Sequence, residues 1–293
     1  MKYRSIPHVA VLVSAILSHA APGVAVQAGC EIPFRLEGHL IVVEASVART
    51  SGLRFMIDTG ATGSVVDKKV IKALGLKPLP GESRLAALGQ EVTKADRFRI
   101  PMVRIGPVCA TLYCPEADLS GLGVDGIIGL DLLREQTWLP GCEANEAIKS
   151  GSFTIDFETR RLRFGLQQQL KCTIPLESPN PEIIVVAMFQ GHPLRLAVDT
   201  GSHAIVLYNE SQLGWLQIRV LLQRARFQML GRMGEGKQVV LPDMELGNLR
   251  WTNPSGMLLD RPNQAKDGLL SVRQLGLKVV HFDFERNLMS WRK

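Results

Sequence analysis

The sequence predicts a mainly β protein made of two tandem copies of one unit, facing each other about a pseudo-twofold axis. Three observations carry this. A repeat of about 141 residues runs along the chain, and most apolar runs are short, β-branched and bounded by Gly, Pro or Asn. The tripeptide Asp-Thr-Gly occurs once in each copy, as Asp58-Thr59-Gly60 and Asp199-Thr200-Gly201.

The repeat is traced by small matches at one spacing. Cys30-Glu31-Ile32-Pro33 recurs as Cys172-Thr173-Ile174-Pro175, and Asp125-Gly126-Ile127-Ile128 as Asp267-Gly268-Leu269-Leu270. Leu88-Gly89 recurs as Leu230-Gly231, and Ile105-Gly106 as Leu246-Gly247. Ile155-Asp156-Phe157-Glu158 matches Phe282-Asp283-Phe284-Glu285 at the shorter offset of 127, so the first copy carries an extra segment near 137–150. The units are therefore drawn at 29–170 and 171–293, with the linker near 176–181.

Within each unit the reading is mostly strand, as in Leu40-Ile41-Val42-Val43 and Ile183-Ile184-Val185-Val186. One helix is expected from Lys68 to Leu74, capped by Asp67 and stopped by Gly75. Its counterpart from Asn209 to Leu213 is shorter, and a second short helix is expected from Leu130 to Glu135.

Residues 1–28 read as a secretory signal peptide. Lys2 and Arg4 open it, Val9 to Leu17 form the apolar stretch, and Val26-Gln27-Ala28 is the small-residue cleavage site. Ser14, Ser18, His19, Pro22 and Gly23 break the stretch too often for a good membrane span. Export to the periplasm or the medium is expected. Cys30 follows Ala28-Gly29 in a partial lipoprotein box, which leaves a lipid anchor there open.

The net charge of +6 falls to +4 without the signal, which holds two basic residues and no acidic ones. The remaining charges are scattered and aromatic residues are only 6%, which argues against a nucleic-acid partner. All five cysteines lie beyond the signal, and export makes disulfides expected, with a small loop closure from Cys109 to Cys114. His39, His192, His203 and His281 show no ligand spacing with the cysteines, so neither a metal nor a cofactor is expected. Asp125 and Asp267, present in both copies, read as turn-forming residues.

The tripeptides suggest chemistry. Two carboxylates held a few ångströms apart cannot both ionise cheaply, so they share a proton. The charged member can deprotonate a water while the protonated one hydrogen-bonds a carbonyl under attack. Threonine after each aspartate can tie the two loops together, and glycine lets them approach closely.

Carried by Phe55 to Thr62, Gly126 to Asp131, Ala197 to Ser202 and Gly268 to Leu270, the chain resembles the aspartic peptidases of the pepsin and retroviral protease clan. The layout is similar to two retropepsin-like units fused in one exported polypeptide. The resemblance implies two closed β-barrel lobes, each with one or two short helices. It also implies an aspartic endopeptidase with Asp58 and Asp199 as the dyad, Thr59, Gly60, Ala61, Thr200, Gly201 and Ser202 shaping the loops, a peptide or protein substrate and a monomeric state. Leu88, Gly89, Leu230 and Gly231 fall where substrate-covering flaps would lie.

Two departures favour an alternative, a peptide-binding module of weak or absent turnover. Ser271 stands where the first copy has Gly129, and His203 sits two residues after Gly201. A third difference predicts an asymmetry: the Ser202 hydroxyl is expected to bond the Asp199 carboxylate, leaving Asp58 to hold the shared proton.

Overall fold

The computed structural model describes residues 30–85, 93–134, 137–140, 148–149, 151–165, 168, 170–177, 181–208, 210–229, 232–260 and 265–293. The signal segment and the expected flap residues Leu88, Gly89, Leu230 and Gly231 lie outside them.

The fold is mainly β, in two lobes joined by a shared sheet. Strands from 35 to 149 form a ten-stranded sheet and strands from 184 to 271 a nine-stranded one. A third sheet of six strands takes three from each half of the chain. At its middle Ser152–Asp156 pairs antiparallel with Val279–Asp283, Thr154 opposite His281. On either side the arrangement repeats, Cys30–Pro33 pairing Arg161–Phe164 and Cys172–Pro175 pairing Leu288–Arg292. The pseudo-twofold axis therefore passes through the centre of this sheet.

The same local pattern builds both lobes. Thr50–Ile57 pairs in parallel with Gly126–Ile128, and His192–Asp199 pairs in parallel with Gly268–Ser271. The Asp125 carboxylate accepts the Arg54 N–H at 2.8 Å and Asp267 accepts that of Arg195 at 2.7 Å. These aspartates close the ladder just before each parallel strand, the turn role expected of them. Alternating burial along Leu40–Val47 and Thr50–Ile57 sends Ile41, Val43, Phe55 and Ile57 into the main core. Leu40, Val42, Met56 and Ile127 go to a smaller apolar cluster on the other face. The second lobe repeats this with Ile184, Ala197, Val206 and Leu269.

The first helix is Lys68–Ala73, capped by Asp67, whose carboxylate accepts the Lys69 N–H at 2.8 Å. Gly75 then takes a left-handed φ of 61°. Its counterpart is a 3-10 turn, Glu210–Leu213, and the later helix is one turn, Leu130–Leu133. The extra segment supplies strands Thr137–Pro140 and Ile148–Lys149, which extend the first sheet beside Val108–Ala117.

The expected Cys109–Cys114 bridge is not formed, and Cys114 is a buried free thiol, as is Cys30. Both positions lie on the strand Val108–Ala117. Five residues of extended chain separate Cα atoms by about 16 Å and turn the side chains to opposite faces. A disulfide tolerates roughly 7 Å.

Candidate active site

Each Asp-Thr-Gly tripeptide lies at the point where an inner strand leaves its parallel pairing, and the two meet across the lobes. Thr59 and Thr200 are buried and bonded reciprocally. The Thr59 hydroxyl donates to the Val198 carbonyl at 2.8 Å and accepts the Thr200 N–H at 3.2 Å. The Thr200 hydroxyl donates to the Ile57 carbonyl at 2.8 Å and accepts the Thr59 N–H at 3.0 Å. The tie between loops expected from the sequence is thus a four-bond lattice, satisfied at every group.

That lattice sets the carboxylates face to face. Asp58 Oδ1 accepts the Gly60 N–H at 2.9 Å. Asp199 Oδ1 accepts the N–H groups of Gly201 at 2.7 Å and Ser202 at 3.0 Å. The two carboxyl groups lie close enough that each acts on the proton affinity of the other. Each glycine lies against the opposite lobe's carboxyl: a Cβ on Gly60 would stand 2.6 Å from Asp199 Cγ, and one on Gly201 3.0 Å from Asp58 Cγ. Only glycine permits this approach.

Burial raises the proton affinity of both groups, and Asp199 is pushed further because the Asp58 charge adds to it. The N–H groups of Gly60, Gly201 and Ala61 favour the charged form of Asp58. Of the two carboxyls, Asp199 is the one whose surroundings favour the proton more. The hydroxyl bond expected from Ser202 to Asp199 is not formed, and the reason is local. The Ser202 hydroxyl donates to the Ala204 carbonyl at 2.7 Å, so Ser202 reaches Asp199 only through its backbone N–H, beside that of Gly201.

Ser271, the departure from glycine, is fully buried, and its hydroxyl donates to the Ser202 carbonyl at 2.6 Å. In the first lobe the equivalent Ala61 carbonyl accepts the Leu130 N–H at 2.8 Å. There a Cβ on Gly129 would stand 2.8 Å from the same oxygen. The second loop is closed by a side chain where the first is closed by backbone. Two further partners escaped the sequence reading. Ser64 bonds Asp131 at 2.7 Å behind the first loop, and Gln274 accepts the Ile205 N–H at 2.7 Å behind the second.

His203 is exposed, its ring 5.4 Å from that of His39. His39, which drew no functional reading, bonds the Gly201 carbonyl at 3.0 Å through Nε2. Around the loops lie the two smaller apolar clusters, with Ala61 and Leu122 packed on one and Ala225 and Phe227 on the other. Phe227 belongs to the hairpin of Arg219–Met229 and Arg232–Val240. Among the described residues no cluster of His, Cys, Asp or Glu is arranged to hold a metal ion.

No curated protein matches the chain in sequence. Among solved structures it is similar to the aspartic proteinase from Irpex lacteus, with a TM-score of 0.57 and 11% identity over 91% of this chain and 97% of that one. That likeness is one of fold. A family model described as aspartyl protease matches twice in tandem, over residues 43–132 and 185–273. Each match holds one Asp-Thr-Gly loop, and together they take in more than half of the chain, which therefore belongs to the aspartyl protease family.

Proposed function

We propose that the protein is an exported, single-chain aspartic endopeptidase whose dyad is Asp58 and Asp199. The observation that carries the reading is the reciprocal lattice of Thr59 and Thr200, which holds the half-buried Asp58 and the buried Asp199 face to face. A family member that had abandoned turnover would have no need to keep both carboxyls in so costly a place.

In the proposed reaction Asp58, charged, takes a proton from a water lying between the carboxyls as the water oxygen attacks the scissile carbonyl. Asp199 gives its proton to the carbonyl oxygen. In the tetrahedral intermediate the C–N bond then breaks, the nitrogen taking the proton held by Asp58 and the hydroxyl returning one to Asp199. The dyad ends as it began, with a single shared proton. The apolar clusters beside the loops suit an extended peptide with apolar side chains on both sides of the cut.

The test is cleavage of a mixed peptide library from acid to neutral pH. Asp58→Asn and Asp199→Asn should each lower the rate by a factor on the order of 10²–10⁴, the usual worth of a general acid or base. Cleavage that survives either substitution removes the shared-dyad mechanism.

A further inference from the structure

His39 lies just before the strand Leu40–Val47 of the first lobe, and its ring crosses to the second. Nε2 is 3.0 Å from the Gly201 carbonyl oxygen. A carbonyl can only accept, so Nε2 carries the proton and the tautomer follows. The accepting carbonyl belongs to the Gly201–Ser202 peptide, and the N–H of that same peptide donates to Asp199 Oδ1 at 3.0 Å. One amide plane is thus held on its oxygen side by His39 and on its nitrogen side by Asp199.

Among the described residues the first loop has no such partner from the other lobe. Ile41 pairs with Ile57, and the matching Val198 N–H bonds the Ile183 carbonyl, so Pro181 holds the place equivalent to His39. Proline has no side-chain donor. The anchor is one-sided, and it acts on the loop whose aspartate favours the proton more.

We infer that His39 is a positioning residue for Asp199, fixing the Gly201–Ser202 peptide from the opposite lobe and tuning through that amide how tightly Asp199 holds the shared proton. The inference rests on the aspartic peptidase reading above. A hydrogen bond accepted at an amide oxygen polarises the amide and strengthens its N–H as a donor, by about 10–30% per bond. The Ser202 N–H stabilises the charged form of Asp199, so losing the His39 donor weakens that support and raises the affinity of Asp199 for its proton.

The titratable groups that act on His39 are His203 and Arg273. Arg273 lies over the Phe157 ring at 5.2 Å. Partial burial, then the charges of His203 and Arg273, hold the His39 pKa below the ordinary histidine value, against the opposing pull of the Gly201 carbonyl. The ring is therefore a neutral donor through the neutral range, and it becomes a cationic one only in acid.

The experiment compares wild type with His39→Phe, which keeps a ring but no donor, and His39→Gln, which restores an N–H. Peptide cleavage is followed against pH alongside the ¹³Cγ titration of Asp199 by NMR. His39→Phe should move the alkaline limb of kcat upward by a few tenths of a pH unit, with the Asp199 titration moving in parallel and kcat falling several-fold. His39→Gln should recover most of both.

An unmoved limb and titration in a folded His39→Phe protein would overturn the inference. So would equal damage from Phe and Gln, because the donor would then be irrelevant. The NMR titration needs no turnover. If wild type cleaves nothing, the endopeptidase reading fails, while a shifted Asp199 titration still supports the His39 assignment and an unshifted one sinks it.

Discussion

Gly60 and Gly201 are where a single methyl group has the most direct effect. Alanine at Gly60 puts a Cβ 2.6 Å from Asp199 Cγ, inside any real contact, and alanine at Gly201 puts one 3.0 Å from Asp58 Cγ. Neither carboxyl can retreat without losing its backbone donors. Gly60→Ala should cost about 10² in kcat, the scale of an ångström's misplacement, and Gly201→Ala less. Steady-state kinetics on both variants would show the order. The threonines act on stability instead. Thr59→Val leaves the Thr200 N–H and the Val198 carbonyl unpaired in a buried place, at about 1–3 kcal/mol each. Urea unfolding should show a loss of about 2–5 kcal/mol. Asp199→Asn should do the opposite at neutral pH. The folded-state pKa of Asp199 is raised, so its contribution is whole below the unfolded carboxylate value and is lost as pH rises. Removing the titration should raise Tm at pH 7 relative to wild type, with the difference shrinking toward pH 4.

At the scale of elements, the loops and their parallel strands were legible because the duplication preserves backbone bonds, and those leave residue signatures. Asp125 and Asp267 recur because each accepts a strand N–H at the same corner. The strand pattern was legible through short continuous apolar runs, since each inner strand buries both faces in different clusters. What the sequence hid was side-chain direction. Ser202 prefers its own turn to the neighbouring carboxylate, and Cys109 and Cys114 lie along an extended strand rather than across a loop. His39 was unreadable for another reason: its partner is 162 residues away, and no local spacing marks a contact between lobes. Ser271 was legible as a departure but not as a repair, because its value depends on the Ser202 carbonyl facing it. Ser271→Ala should therefore orphan that half-buried carbonyl and destabilise by about 1 kcal/mol. Differential scanning calorimetry would detect this as a lowered Tm. Ser271→Gly should be no better, although glycine is what the first lobe uses.

The molecule as a whole sets two titrations against each other. The dyad keeps its proton best in acid, but the sheet that joins the lobes carries His281 at its centre, 1% exposed. Its Nδ1 is 2.8 Å from the Thr154 hydroxyl, and Nε2 has no partner among the described residues. Burial pushes the His281 pKa below its ordinary value, with the Asp283 charge opposing only in part. The unfolded chain then binds this proton more readily than the folded one. Stability from this group is whole above the unfolded histidine pKa, about 6.5, and is lost as pH falls below it. Because Thr154–His281 joins strands from both lobes, the loss acts on the joint rather than on either barrel. The pair Thr154→Val with His281→Phe replaces both partners by apolar groups, which costs little when neither is left alone. Wild type should lose Tm between pH 7 and pH 5 more steeply than this double variant, each followed by thermal unfolding. Equal slopes would show that the acid sensitivity lies elsewhere. A steeper wild-type slope would mean that the joint between the lobes bounds, from the acid side, the range in which the shared proton can be used.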